Sequence, residues 1–116
     1  MAKFLTKKDN KMNKRKDEQK MRSYLTRLVQ HLIKIEAQQE LALSWVNTIK
    51  NALKYIQPLA NYEIEEWDTE IEDIWEDAMR YAAEEVDGGI RYKDLEAKVD
   101  KDRVVRTCLM LLLINK

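Results

Sequence analysis

The amino-acid sequence predicts an all-α protein: a single-domain bundle of four to five helices with a flexible or helical basic N-terminal arm. Three observations carry that reading. Two Gly and one Pro among 116 residues leave few positions that break a helix, and Leu, Ala, Lys, Glu and Ile are abundant. Three stretches repeat their apolar residues at the 3.6-residue helical period. Three Trp, with repeated Leu and Ile, supply enough apolar surface for one modest core in a chain of this length.

The first element is the arm, residues 1–15. Lys3, Lys7, Lys8, Lys11, Lys14 and Arg15, followed by Lys16, stand against Asp9 alone. No sustained apolar period runs through it, so it reads as a flexible arm or a solvated helical lead-in. Residues 16–116 are expected to form the bundle domain. A first helix is predicted over residues 16–38, where Met21, Tyr24, Leu25, Leu28, Leu32 and Ile35 share one arc at about 100° per residue. Val29 and Ile33 lie outside that arc. This helix is therefore either buried on more than one side or exposes an apolar stripe.

A second helix is predicted over residues 41–57, with Ala42, Trp45, Val46, Ile49, Leu53 and Ile56 on one face. Pro58 ends it, because its ring clashes with the preceding turn and lacks the N–H donor. The third helix follows, with Asn61 as the expected N-cap. Glu63, Glu65 and Glu66 in its first turn complement the positive end of the helix dipole. Ile64, Trp67, Ile71, Ile74, Trp75, Ala78 and Ala82 occupy one arc, the cleanest amphipathic pattern in the chain. Gly88 and Gly89 end this helix, since Gly adopts the left-handed C-cap conformation without steric cost. Residues 92–99 read as a short helix or an extended link. Asp100 is the expected cap of a last helix over residues 101–114. Its dense run from Cys108 to Ile114 lacks amphipathic alternation, but Leu and Met favour helix over strand.

From Leu25 to Glu85 the order of residues resembles a bacterial helical family, domain-of-unknown-function family twenty-nine, common in cyanobacteria. The motifs are Leu28-Val29-Gln30-His31-Leu32-Ile33-Lys34, Ser44-Trp45-Val46-Asn47-Thr48-Ile49, and Trp75-Glu76-Asp77-Ala78 through Ala82-Ala83-Glu84-Glu85. The basic arm stands where the family has an aromatic-rich helix and an acidic one, and the family's C-terminal Cys-Pro segment is missing. The resemblance implies an all-helical fold. It implies no activity, because the family has no established one.

Charge is distributed unevenly. Tyr62 to Asp87 holds twelve acidic residues against Arg80, a net of 11 negative. The remainder is net 11 positive, because 21 Lys and Arg balance 21 Asp and Glu overall. The acidic helix is expected to face basic residues of this chain, with Lys34, Lys50, Lys54, Arg103 and Arg106 as candidates, or a partner.

Catalytic signatures are weak. Glu63, Glu66, Glu70, Asp73 and Asp77 line one flank of the third helix, and carboxylates so spaced can share a divalent ion. A second acidic helix is needed, and Glu36 and Glu40 are too few to make one, so the flank reads as a solvated face. His31 is the single histidine and reads as structural; a dyad with Cys108 would need a reactive thiol, whereas a Cys in a leucine run is expected to be buried and inert. Trp45, Trp67 and Trp75 lie on apolar faces and read as core. There is no Gly-rich phosphate loop and no Cys pair. No catalytic residue, metal or cofactor is expected.

The leading functional expectation is a non-enzymatic protein that binds itself or another protein. Its candidate interaction surface is Val29, Ile33, Glu66, Glu70, Asp73 and Asp77. The alternative is a nucleic-acid-associated protein, using Lys7, Lys8, Lys11, Lys14, Arg15 and Lys16 to displace counterions from phosphates, or an acidic nucleic-acid mimic. A metal-dependent hydrolase ranks last. One cysteine and the absence of a leader-like apolar segment suit a reducing cytoplasm. The longest apolar run, Cys108 to Ile114, falls far short of the roughly 20 residues that span a bilayer, so no membrane partner is expected.

Overall fold

The computed structural model describes the backbone of residues 2–115 and the side chains of residues 15–115. Five helices follow one another: α1 (Ala2–Gln38), α2 (Leu43–Ile56), α3 (Ile64–Glu85), α4 (Tyr92–Glu96) and α5 (Lys101–Ile114). A 3-10 turn, Val86–Gly88, joins α3 to α4. No strand occurs among the described residues, so the leucine run of α5 is helical.

The arm and the first predicted helix are one continuous element. At about 1.5 Å per residue, the 37 residues of α1 account for the 56 Å length of a molecule only 27 × 25 Å across. α1 is the central helix and packs against α2, α3 and α5. That central place explains its apolar pattern. Met21, Leu25 and Leu28 on the main arc and Val29 and Ile33 outside it are all fully buried, as a helix with neighbours on several sides requires. Each such side chain contributes about 1.5–3 kcal/mol by leaving water. The exposed-stripe alternative therefore fails. Val29 and Ile33 are core residues in the folded chain and present no surface to a partner.

Side-chain pairs give the helix directions. Tyr24 stacks on Tyr55 at 5.1 Å and the Lys34 amine lies 4.8 Å from the Trp45 ring centre, so α2 runs antiparallel to α1. Arg22 bonds Glu70 and Lys34 bonds Glu85, so α3 runs parallel to α1. Lys101 at the head of α5 bonds Glu72 midway along α3, and the Asp100 backbone N–H donates to Glu36 near the end of α1. α5 therefore runs back down. The result is an up-down-up-down bundle, with α4 as a short link whose Leu95 is fully buried.

Element ends follow local chemistry. α2 starts at Leu43, after Gln39 in a left-handed conformation (φ 54°). At α3 the cap is Glu63, not Asn61. Glu63 is extended, its carboxylate accepts from the Glu66 backbone, and the Glu66 carboxylate accepts from the Glu63 N–H. This reciprocal capping box satisfies two free donors and adds negative charge at the positive helix end. Ile64, expected in the core arc, is 44% exposed. Helical side chains lean toward the N-terminus, so the first residue of α3 leans past the end of the core. At the other end, Asp87, Gly88 and Gly89 have φ of 50°, 78° and 112°, and the Ile90 N–H returns to the Ala83 carbonyl at 2.8 Å. Asp100 caps α5 as expected, accepting from the Arg103 N–H. Val104, Cys108 and Leu112, four residues apart, bury one ridge of α5, while Met110 and Ile114 remain exposed.

Candidate functional site

α3 is where charge and packing meet. Once the capping box sets its start, Trp67, Ile71, Ile74, Ala78 and Ala82 turn into the core and the carboxylates divide between two flanks. The flank singled out from the sequence, Glu66, Glu70, Asp73 and Asp77, lies toward α1. Glu66 is engaged in the capping box. Glu70 accepts from the Arg22 Nε at 2.8 Å and is only 16% exposed. Asp77 accepts from Arg80 at 2.6 Å. Asp73 is exposed and adds to the field that favours the charged Arg22. These four residues do share a side of α3, but three are engaged within the chain.

The expected charge pairing is present, with Lys34 as expected and otherwise with cations not anticipated. Lys34 pairs with Glu85, Lys101 with Glu72, Arg22 with Glu70 and Lys98 with Asp87. Arg103 turns instead to Glu36 and Asp100. Such pairing neutralises part of the acidic surface and counts against nucleic-acid mimicry. Among the described residues no three His, Cys, Asp or Glu side chains come together to hold a metal ion. Glu36, one of the two acidic residues offered as a second set, is tied to Arg103 and to the Asp100 backbone.

Three segments used for the resemblance meet at one end of the bundle. Lys34 of α1, 5% exposed, donates to Glu85 Oε2 of α3 at 2.6 Å and lies over Trp45 of α2. Gln30 donates to the other Glu85 oxygen at 2.6 Å. One carboxylate thus joins two donors on α1, and one ammonium joins three helices. The contacts fix α1 against α3 by charge-assisted hydrogen bonds. His31 sits beside this knot, half-buried, with Nδ1 2.8 Å from the Arg27 carbonyl. A carbonyl only accepts, so Nδ1 carries the proton. Burial lowers its pKa, the bond to Arg27 opposes that, and Lys34 reinforces it. Cys108 is fully buried, and desolvation pushes its thiol up to about 12. It is no nucleophile at neutral pH.

The opposite flank of α3 faces α5 and is built differently. Glu65, Asp68 and Glu72 recur at i, i+3 and i+7 and overhang a groove of about 740 Å3 between the two helices. Ile64 of α3 with Val105 and Leu109 of α5 form its apolar floor, and Asp102 and Arg106 complete the rim. Lys101 closes the far end, bonded to Glu72 at 2.9 Å with its amine 5.2 Å from the Trp75 ring centre. Four carboxylates against Arg106, and against the Lys101 paired with Glu72, still leave the groove net negative. Of these rim residues only Arg106, which does line the groove beside α3, was singled out for a contact from the sequence, as a cation expected to face the acidic helix. The i, i+3, i+7 spacing of the α3 carboxylates was visible there; their proximity to α5 was not.

Of the basic-arm candidates, Arg15 and Lys16 are exposed, and the side chains of Lys7, Lys8, Lys11 and Lys14 lie outside the described residues. No helix among the described residues is long and apolar enough to cross a membrane.

The fold and this surface define an all-helical bundle protein with a charged, grooved face. Its sequence matches the family described as Domain of unknown function DUF29 over residues 10–104, and the chain belongs to that family. The match is wider than the motifs alone, taking in part of the arm and the start of α5. No curated protein and no solved structure matches the chain.

Proposed function

We propose that the chain is a non-enzymatic interaction module that receives a helical protein segment in the α3–α5 groove. The observation that carries this reading is the combination of an apolar floor with an acidic rim. Ile64, part of that floor, is 44% exposed. Apolar surface held open beside charged residues suits helix-in-groove recognition, in which an amphipathic helix lays its apolar face down and its charged flanks meet the rim. The net negative lining selects a basic helix.

Calorimetric titration of the full chain with a lysine-rich amphipathic helical peptide, and with its glutamate-rich counterpart, tests the proposal. The basic peptide is expected to bind and the acidic one not. The Glu65→Lys/Asp68→Lys chain should lose that preference while remaining folded by circular dichroism, since both positions are exposed. Glu65→Lys also gives up a favourable charge at the start of α3, so a slightly lower melting temperature is expected. Equal binding of both peptides, or of neither, would sink the reading. Binding of DNA at low salt by the wild-type chain, unaccompanied by peptide binding, would favour the phosphate-contacting role of the arm instead.

A further inference from the structure

The groove and the arm are electrostatic complements carried by one chain. Glu65, Asp68, Glu72 and Asp102 overhang the groove, while Met1 to Lys16 carries seven basic residues against Asp9. The arm cannot reach the groove of its own bundle without breaking α1, because Ala2–Gln38 is a single helix. α3 runs parallel to α1 and begins level with its second half: Arg22 meets Glu70, and Tyr62 feels the charge of Glu18. The arm therefore leaves the bundle at the end where Ile64 and Leu109 open the groove. Its length is also adequate. Residues 2–16 of a helix extend about 22 Å, and Ile64 to Glu72 along α3 spans about 12 Å.

We infer that the α3–α5 groove takes the lysine-rich N-terminal arm of a second copy of this chain, each copy giving its arm to the other. This rests on the proposed reading of the groove as a protein-binding surface; the contact is one of charge, lysines against the acidic lining, because no sustained apolar period runs through the arm. A reciprocal exchange about a two-fold axis fills both grooves and closes the assembly, so it makes a dimer and not a filament. Pairs at an exposed rim are individually weak and screened by salt, so association depends steeply on ionic strength.

Sedimentation velocity on three full-length chains tests it: wild type, an arm variant (Lys7→Glu/Lys8→Glu/Lys11→Glu/Lys14→Glu) and the groove variant (Glu65→Lys/Asp68→Lys). The wild type is expected to dimerise at low ionic strength and dissociate as salt rises. Each variant alone is expected to dimerise about tenfold more weakly or worse. Their equimolar mixture is expected to recover the dimer, because an acidic arm then meets a basic rim and a basic arm an acidic one. Circular dichroism confirms that the variants fold. A wild type that stays monomeric at low ionic strength overturns the inference, as does a dimer indifferent to both charge reversals. A monomer that still binds the lysine-rich peptide leaves the groove reading standing and makes its partner foreign; a monomer that binds no peptide removes both.

Discussion

Lys34 shows how a single residue can tie a bundle together. Its stem is buried among core side chains, its ammonium bonds Glu85, and the ring of Trp45 lies beneath it. Removing Glu85 leaves that ammonium with the Trp45 face alone and also strips Gln30 of its acceptor. Breaking a fully buried pair costs about 3–5 kcal/mol; the Glu85 side chain is 47% exposed, so water replaces part of the loss. Glu85→Ala is expected to destabilise by about 1–3 kcal/mol, measured as a shift of the urea midpoint at unchanged slope. An effect within about 0.5 kcal/mol would mean the pair contributes no more than a surface one.

Cys108 makes a second residue-scale prediction, on pH. Its folded thiol holds its proton to about 12, against an ordinary 9.0. Well below pH 9 neither state ionises and the thiol adds no pH dependence. As pH rises from there toward 12, the unfolded chain loses the proton first, so stability falls. Burial raises the Tyr62 and Tyr92 pKa values as well, which gives a decline of the same sign. The Cys108→Val chain should therefore lose stability less steeply than wild type between pH 9 and 11 in chemical denaturation. Identical slopes would show that the thiol is not desolvated as described.

At the scale of elements, α3 was the most legible part of the chain. Its arc of Trp67, Ile71, Ile74, Trp75, Ala78 and Ala82 is the buried face, because an amphipathic period records the environment of each residue directly. Pro58 and Asp100 were legible for the same reason: their effects are local to the backbone. Val29 and Ile33 were not. Periodicity says that they leave the main arc, and only the central position of α1 decides that a second neighbour covers them. The cap at Glu63 was missed because Asn outranks Glu as a lone N-cap, whereas here the reciprocal bond with Glu66 decides. Glu63→Ala is expected to cost about 1 kcal/mol, read as a lower melting temperature, while Asn61→Ala should leave it nearly unchanged. The reverse order would restore Asn61 as the cap. The α3–α5 groove was the least legible feature of all, since Glu65 and Asp102 are brought together only by the turn and link between their helices.

For the whole molecule, the zero net charge conceals a sorted distribution. Part of the acidic excess of α3 is met within the chain by Arg22, Lys34, Lys98 and Lys101, and these pairs align α3 with α1 and α5. What they leave is directional: an acidic groove on one side and a basic helical arm at the end beside it. Exposed pairs are each worth about 0–1 kcal/mol, so the sorting matters more for orientation and partner choice than for stability. The proposed binding surface is the α3–α5 groove, and its sharpest test is an amide-resolved NMR map of the full chain titrated with the lysine-rich helical peptide. Perturbations are predicted to concentrate at Ile64 to Glu72 and at Asp102 to Leu109. Perturbations centred instead on the Leu41–Leu43 corner or around His31, or none at saturating peptide, would contradict it.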